Sequence, residues 1–271
     1  MKIIVLAENT TREKTLKPIH GLSIFLETSN HKVLFDLGPD DTFLHNAQKL
    51  GVVIPEIDTV VISHGHCDHG GALSNFLKIN DKAKIYLHRQ AFEPHYYKVL
   101  FVKKEVGLDK SLIENDRFIF TDETMQIDNE LFLFSDVKDS NNTKSSRVIL
   151  KKTSKGFEQD DFAHEQNLIV NEEGKSVLFS GCSHKGIVNI LNTAEKHALI
   201  INTVFGGFHL YNPITKKAEP QKVVETLTNE LALHETIYYT GHCTGVKAFE
   251  LMRRGMGEKV QYLSTGMTIE I

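Results

Sequence analysis

Ser63-His64-Gly65-His66-Cys67-Asp68-His69-Gly70-Gly71 puts three imidazoles and one carboxylate into six consecutive positions, His64 to His69. The chain has 14 histidines in 271 residues, so a chance cluster of this density is improbable. The residues just before it, Thr59-Val60-Val61-Ile62-Ser63, have the continuous β-branched centre of a buried strand. The histidines therefore fall in a loop at a strand end, where several side chains can turn toward one point. Gly70-Gly71 leave room for close backbone approach. Histidine and aspartate are the ligand types of zinc and of harder first-row metals. His64 and His66, two apart, share a side in extended backbone, while Asp68 and His69 address a second position. Two neighbouring metal sub-sites can share such a loop. The competing reading is a polar surface loop. It is disfavoured because imidazoles and a carboxylate at the end of a buried strand are costly when charged and unpartnered.

Working outward, short β-rich runs alternate with helical ones. Strands are predicted at 3–7, 24–27, 32–36, 59–63, 84–87, 117–120, 130–134, 147–151, 176–180, 199–205 and 236–239, with two short ones in 260–271. Helices are predicted at 40–50, from Gly70 to Leu77, and at 186–197, 221–234 and 245–256. Residues 91–117 are expected to be helical in part, and Lys138–Ser146 to be a polar loop. No Pro- or Gly-rich linker divides the chain, so one domain over 1–271 is expected, of α+β class with helices outside a mixed sheet or a pair of sheets. Residues 88–162 are read as an insertion covering the site. Phe92, His95, Tyr96, Tyr97 and Phe101 are expected to pack a helix rather than to build a wall for a flat ring.

The net charge of −4 argues against nucleic acid or an anionic membrane as partner. No apolar run approaches a membrane span, and the opening apolar run is too short for a signal peptide. Three cysteines are too few for a disulfide framework, so the cytoplasm is the expected compartment. Each of them, Cys67, Cys182 and Cys243, lies within two residues of a histidine.

The stretch 63–71 resembles the His-x-His-x-Asp-His signature of the metallo-β-lactamase superfamily. His20-Gly21-Leu22-Ser23 and Leu34-Phe35-Asp36-Leu37-Gly38 resemble its opening strands. Three further stretches are similar to motifs of one branch: Leu178 to Asn189, Gly206-Gly207-Phe208-His209-Leu210, and Gly241-His242-Cys243-Thr244-Gly245. That branch is labelled dihydropterin–ribofuranosylaminobenzene phosphate synthase-like, or dihydropteroate-synthase-like. The resemblance implies a four-layer αββα sandwich holding one or two divalent metal ions, zinc first, with iron or manganese as alternatives. It implies His64 and His66 on one metal and Asp68 and His69 on the other. His184 is the expected third ligand of the first metal, and His242 the last histidine of the second. Where many members carry a bridging aspartate, this chain has Cys182, which is weighed as a thiolate ligand and, preferentially, as a small buried residue. His164 competes with His184. His209 is expected to face the site, in substrate binding or proton transfer, with a hydrogen-bonded structural role as the alternative. His20 is expected to be structural, and Asp36 to hold a ligand histidine by hydrogen bond. Cys67 and Cys243 are expected to point away, and His31, His45, His88, His95, His197 and His234 to be ordinary histidines.

The chemistry expected is metal-assisted hydrolysis of an ester, phosphoester or related bond of a small molecule, phosphorylated or pterin-like, with Asp68 and His209 as proton carriers. The alternatives are a transferase condensing a dihydropterin diphosphate with an aryl amine, and a di-iron redox or sensing protein.

Overall fold

The structure, a computed structural model, describes residues 1–99, 101–138, 148–198, 200–213 and 215–271. They fall into two compact units, each assembled from separate stretches of chain. The first comprises Met1–Asp122, Ile149–Gln166 and Ser264–Ile271; the second comprises Glu123–Val148 and Asn167–Leu263.

In the first unit, seven strands lie in the order Thr268–Glu270, Lys2–Ala7, Ser23–Glu27, Lys32–Phe35, Thr59–Val61, Lys84–His88, Phe118–Thr121. The first three pairings are antiparallel and the last three parallel. Parallel neighbours need a crossover, and the first two crossovers carry helices, Thr42–Leu50 and Leu73–Ile79. Their apolar stripes, Phe43 with Ala47 and Leu73 with Phe76, bury against Leu34, Val60, Ile62, Ile85 and Leu87. Because Val33, Leu34 and Phe35 pair with Thr59, Val60 and Val61, these two strands end level. Asp36 and the run from Ser63 to His69 thus emerge at one end of the sheet.

A four-stranded antiparallel sheet, Gly156–Gln159, Ile149–Thr153, His95–Val99, Val102–Glu105, belongs to the same unit. This corrects the expectation of partial helix over 91–117, where the only helical piece among the described residues is the 3-10 turn Lys110–Leu112. Aromatic and β-branched residues prefer a pleated surface when a partner is present. Here Tyr96 and Tyr97 pair with Leu150 and Ile149, a partner distant in sequence. Nor do the aromatics share a helix face: Phe92 is buried and Phe101 wholly exposed.

The second unit contains the sheet Val260–Tyr262, Ile237–Thr240, Thr203–Gly206, Lys175–Phe179, Asn167–Glu172, Leu131–Phe134, Thr124–Gln126. Its first four strands run parallel. Helices Ile187–His197, Gln221–Ala232 and Val246–Met256 supply Ile190, Leu191, Val224, Leu231, Ala248 and Met252 to a core with Leu178, Val204 and Tyr238. Phe179 pairs with Phe205 and Phe205 with Tyr239. The loops after three parallel strands, carrying Cys182 and His184, His209, and His242 and Cys243, therefore leave the sheet at one level.

The strands Asn167–Glu172 and Gly156–Gln159 were not expected from the sequence. The expected helix from Gly70 to Leu77 is split into Cys67–Gly70 and Leu73–Ile79, and the strand expected from residue 199 starts at Thr203. From residue 139 onward the expected polar loop lies outside the described residues, as does residue 199. No helix among the described residues is long and apolar enough to cross a membrane.

Candidate metal centre

The loop after Thr59–Val61 is clamped through its backbone. Cys67 N–H donates to Val106 O at 2.8 Å, Leu37 N–H to His69 O at 2.7 Å and Leu22 N–H to Asp68 O at 3.2 Å. Gly65 is required by crowding: a Cβ there would lie 2.2 Å from Ala91 O. His64, His66 and His69 are all buried, with ring centroids of His64 lying 4.5 Å from His66 and 4.1 Å from His69.

One carboxylate orders this group. Asp36 is fully buried and adopts left-handed backbone, φ 60°, a conformation aspartate tolerates better than most residues. Its Oδ1 accepts from Ser63 N–H at 2.7 Å, and its Oδ2 from Ser63 Oγ at 2.8 Å. His69 Nδ1 also lies 2.7 Å from Oδ2, so that nitrogen carries the proton. Ser63 has spent its single hydroxyl hydrogen on Asp36. The 2.8 Å contact between Ser63 Oγ and His64 Nδ1 is therefore donated by the imidazole. Both rings carry a proton on Nδ1, which leaves Nε2 as the nitrogen a metal would take.

His66 is held in the neutral form. Burial, then the neighbouring His164 and His95, keeps its pKa well below the usual imidazole range. Asp68 is more accessible, with 24% of its side chain exposed; one oxygen lies 3.5 Å from His20 Nε2 and 3.9 Å from His69 Nε2. His20 thus touches the expected proton carrier from a half-exposed position.

Beside the loop lies a second buried group, His95, Asp160 and His164. His95 Nδ1 sits 2.7 Å from Asp160 Oδ2, and His164 Nε2 3.5 Å from Oδ1. Burial pushes the Asp160 carboxyl up, but its contacts with His164 and His95 outweigh this and hold it far below the carboxylate range. Burial brings His164 down to about 4 against the opposing pull of Asp160. Gln166 fixes this segment: its N–H donates to Ser63 O at 2.8 Å, and its side-chain amide to Ile62 O at 2.9 Å. One potential ligand atom from each of His66, His95, Asp160 and His164 lies within 4.8 Å of the others.

In the second unit, Cys182, His184 and His209 form one such group, and Cys182, His242 and Cys243 another. Cys182, His184, His242 and Cys243 are each at most 4% exposed. The His184 and His209 ring centroids are 4.4 Å apart. Cys243, expected to point away, instead lies inside this cluster: its Sγ accepts from His209 N–H at 3.3 Å and lies 3.6 Å from Cys182 O. Gly207 passes so close that a Cβ would lie 2.3 Å from that sulfur. Burial would raise the Cys243 thiol, but hydrogen bonds with Cys182 and His209, with His242 nearby, bring it well below the usual thiol range. Ser183, His209 and His242 all have positive φ, the kind of backbone strain that gathers at functional sites.

The donor set suits a divalent first-row ion. Imidazoles that keep Nε2 for a metal, a solvent-reachable carboxylate and low-pKa sulfur are the ligands such ions take. The sequence expectations missed His95, Asp160 and Cys243. Cys243 is adjacent to His242, a signal that was available. His95 and Asp160 lie 65 residues apart, outside any local motif.

The metallo-beta-lactamase superfamily profile matches residues 16–154, just over half of the chain. A Methanocaldococcus jannaschii protein named 7,8-dihydropterin-6-methyl-4-(beta-D-ribofuranosyl)-aminobenzene-5'-phosphate synthase is 28% identical over 93% of this chain and 90% of its own length. The crystal structure of Tm1679, titled a metal-dependent hydrolase of the beta-lactamase superfamily, superposes with a TM-score of 0.83 at 28% identity, over 100% of this chain and 99% of that one. Zinc-bound PqqB from Methylobacterium extorquens shares the fold at a TM-score of 0.62 and 12% identity, over the full length of both chains. The chain belongs to the metallo-beta-lactamase superfamily and has its α+β fold.

Proposed function

We propose that this protein is a metal-dependent hydrolase acting on an ester or phosphoester bond of a small molecule in the cytoplasm. The observation that carries the reading is the Asp36–Ser63 network, which fixes Nδ1 as the protonated nitrogen of His64 and His69 and so leaves Nε2 as the nitrogen through which each would bind an ion. His64, His66, Asp68 and His69 are the proposed ligands, with His184 and His242 added from the resemblance. Zinc is the proposed ion, and when bound it would supply Lewis acidity toward an oxygen of the substrate. Asp68, the one acid of the loop and partly exposed, accepts a proton from water as the bond is attacked. His209, 8% exposed and beside His184, returns a proton to the leaving oxygen.

A second reading, condensation of a dihydropterin diphosphate with an aryl amine, is favoured by the synthase relative, which aligns with most of this chain. Asp68 would then take the amine proton, and ion chemistry would stabilise the departing diphosphate. Both readings are tested with wild type and His64→Ala. Elemental analysis and hydrolysis of nitrophenyl esters and phosphodiesters are expected to show metal and turnover in the wild type, and loss of both in the variant. A variant keeping full metal content and full turnover would refute the proposal. A pterin–amine adduct formed by a wild type inert toward the esters would select the synthase reading.

A further inference from the structure

His95 is fully buried and comes from the small sheet, outside the histidine loop. Its Nδ1 lies 2.7 Å from Asp160 Oδ2. The carboxylate therefore accepts a hydrogen bond from Nδ1–H, and the lone pair is on Nε2. Among the described residues that Nε2 atom has no hydrogen-bond partner. A buried polar nitrogen left so is destabilising, a penalty that a ligand removes. It also lies close against the loop: a Cβ built on Gly65, between His64 and His66, would lie 3.0 Å from His95 Nε2. The His95 and His66 ring centroids are 5.6 Å apart, edge to face.

The couple repeats one already described. Asp36 holds His69 by Nδ1 at 2.7 Å, and Asp160 holds His95 by Nδ1 at the same distance. In both, a buried carboxylate grips Nδ1 and leaves the lone pair on Nε2. Asp160 sits on the Nδ1 side of the ring, so it orients His95 and does not share an ion with that Nε2. His164 is not equivalent. Its Nδ1 accepts the Gly65 N–H at 2.9 Å, so its proton is on Nε2, which faces Asp160. His164 braces Gly65 through Nδ1, and its protonated Nε2 has no lone pair left for a metal.

We propose that His95 Nε2 is a metal ligand acting with His66, held in place by Asp160, for a zinc-class divalent ion. The inference rests on the metal reading above and adds to it a ligand from outside the signature. It also removes His164, a candidate from the sequence, from the ligand set.

The test uses full-length protein labelled with 15N-histidine and titrated with Zn2+ after chelator treatment. The His95 Nε2 resonance, assigned with His95→Gln, is expected to move on binding while its Nδ1–H stays slow to exchange. The His164 Nε2 resonance should remain that of a protonated nitrogen. His95→Gln, with folding checked by circular dichroism, should bind Zn2+ at least about tenfold more weakly, and Asp160→Asn about tenfold more weakly. Should Zn2+ saturate the wild type and leave His95 Nε2 unmoved, the inference is overturned while the metal reading stands, whether or not the variants fold. Absence of any Zn2+ binding by the wild type would sink both.

Discussion

At the residue scale, Asp36 decides most. It is a buried acid on strained backbone whose two oxygens serve a main-chain amide, a hydroxyl and an imidazole. Asn tolerates the same left-handed backbone, so Asp36→Asn isolates the loss of charge from any change of fold. The variant is expected to bind Zn2+ about 10–100-fold more weakly, by isothermal titration, because His69 loses the anion that sets its tautomer. Unchanged affinity would show that the tautomer is fixed by something else. This residue was legible in the sequence because it follows a short strand in a motif the superfamily shares. Asp160 does the same for His95, yet no spacing announces it, since the pair is joined only when the small sheet forms.

At the element scale, the parallel strands matter because their ends are level. Helix Ile187–His197 packs over them through Ile190 and Leu191, both fully buried. Ile190→Ala should cost about 2–5 kcal/mol, read from the midpoint of urea unfolding. A change below 1 kcal/mol would mean the helix is not part of the core. The strands and helices flanking the histidine segments were legible because each carries a local apolar period. The hairpin His95–Val99 with Val102–Glu105 was not, because its aromatic residues suit either element until a distant strand pairs with them. The same pairing buries His95, so the missed sheet and the missed candidate ligand share one cause.

At the scale of the whole molecule, buried imidazoles gathered around candidate ion positions tie stability to metal. An ion that binds only the folded chain stabilises it by about 2.7 kcal/mol when free metal stands 100-fold above its Kd. Removal of metal by a chelator should therefore lower Tm by several degrees, and added Zn2+ should restore it, as followed by scanning calorimetry. Equal Tm values with and without metal would mean that the imidazoles are held by protein contacts alone.

The first unit's sheet is finished by its most remote piece. Thr268–Glu270 pairs with Lys2–Ala7, and Met267 O accepts from Val5 N–H at 3.0 Å. On the ribosome, then, the strand Lys2–Ala7 emerges long before its outer neighbour exists. The nascent chain carries Lys2–Ala7 as an open edge through the synthesis of the entire second unit, a state that invites pairing with other chains. A translational stall before residue 264 would leave that edge uncovered, and newly made protein would be most in need of a chaperone in this interval.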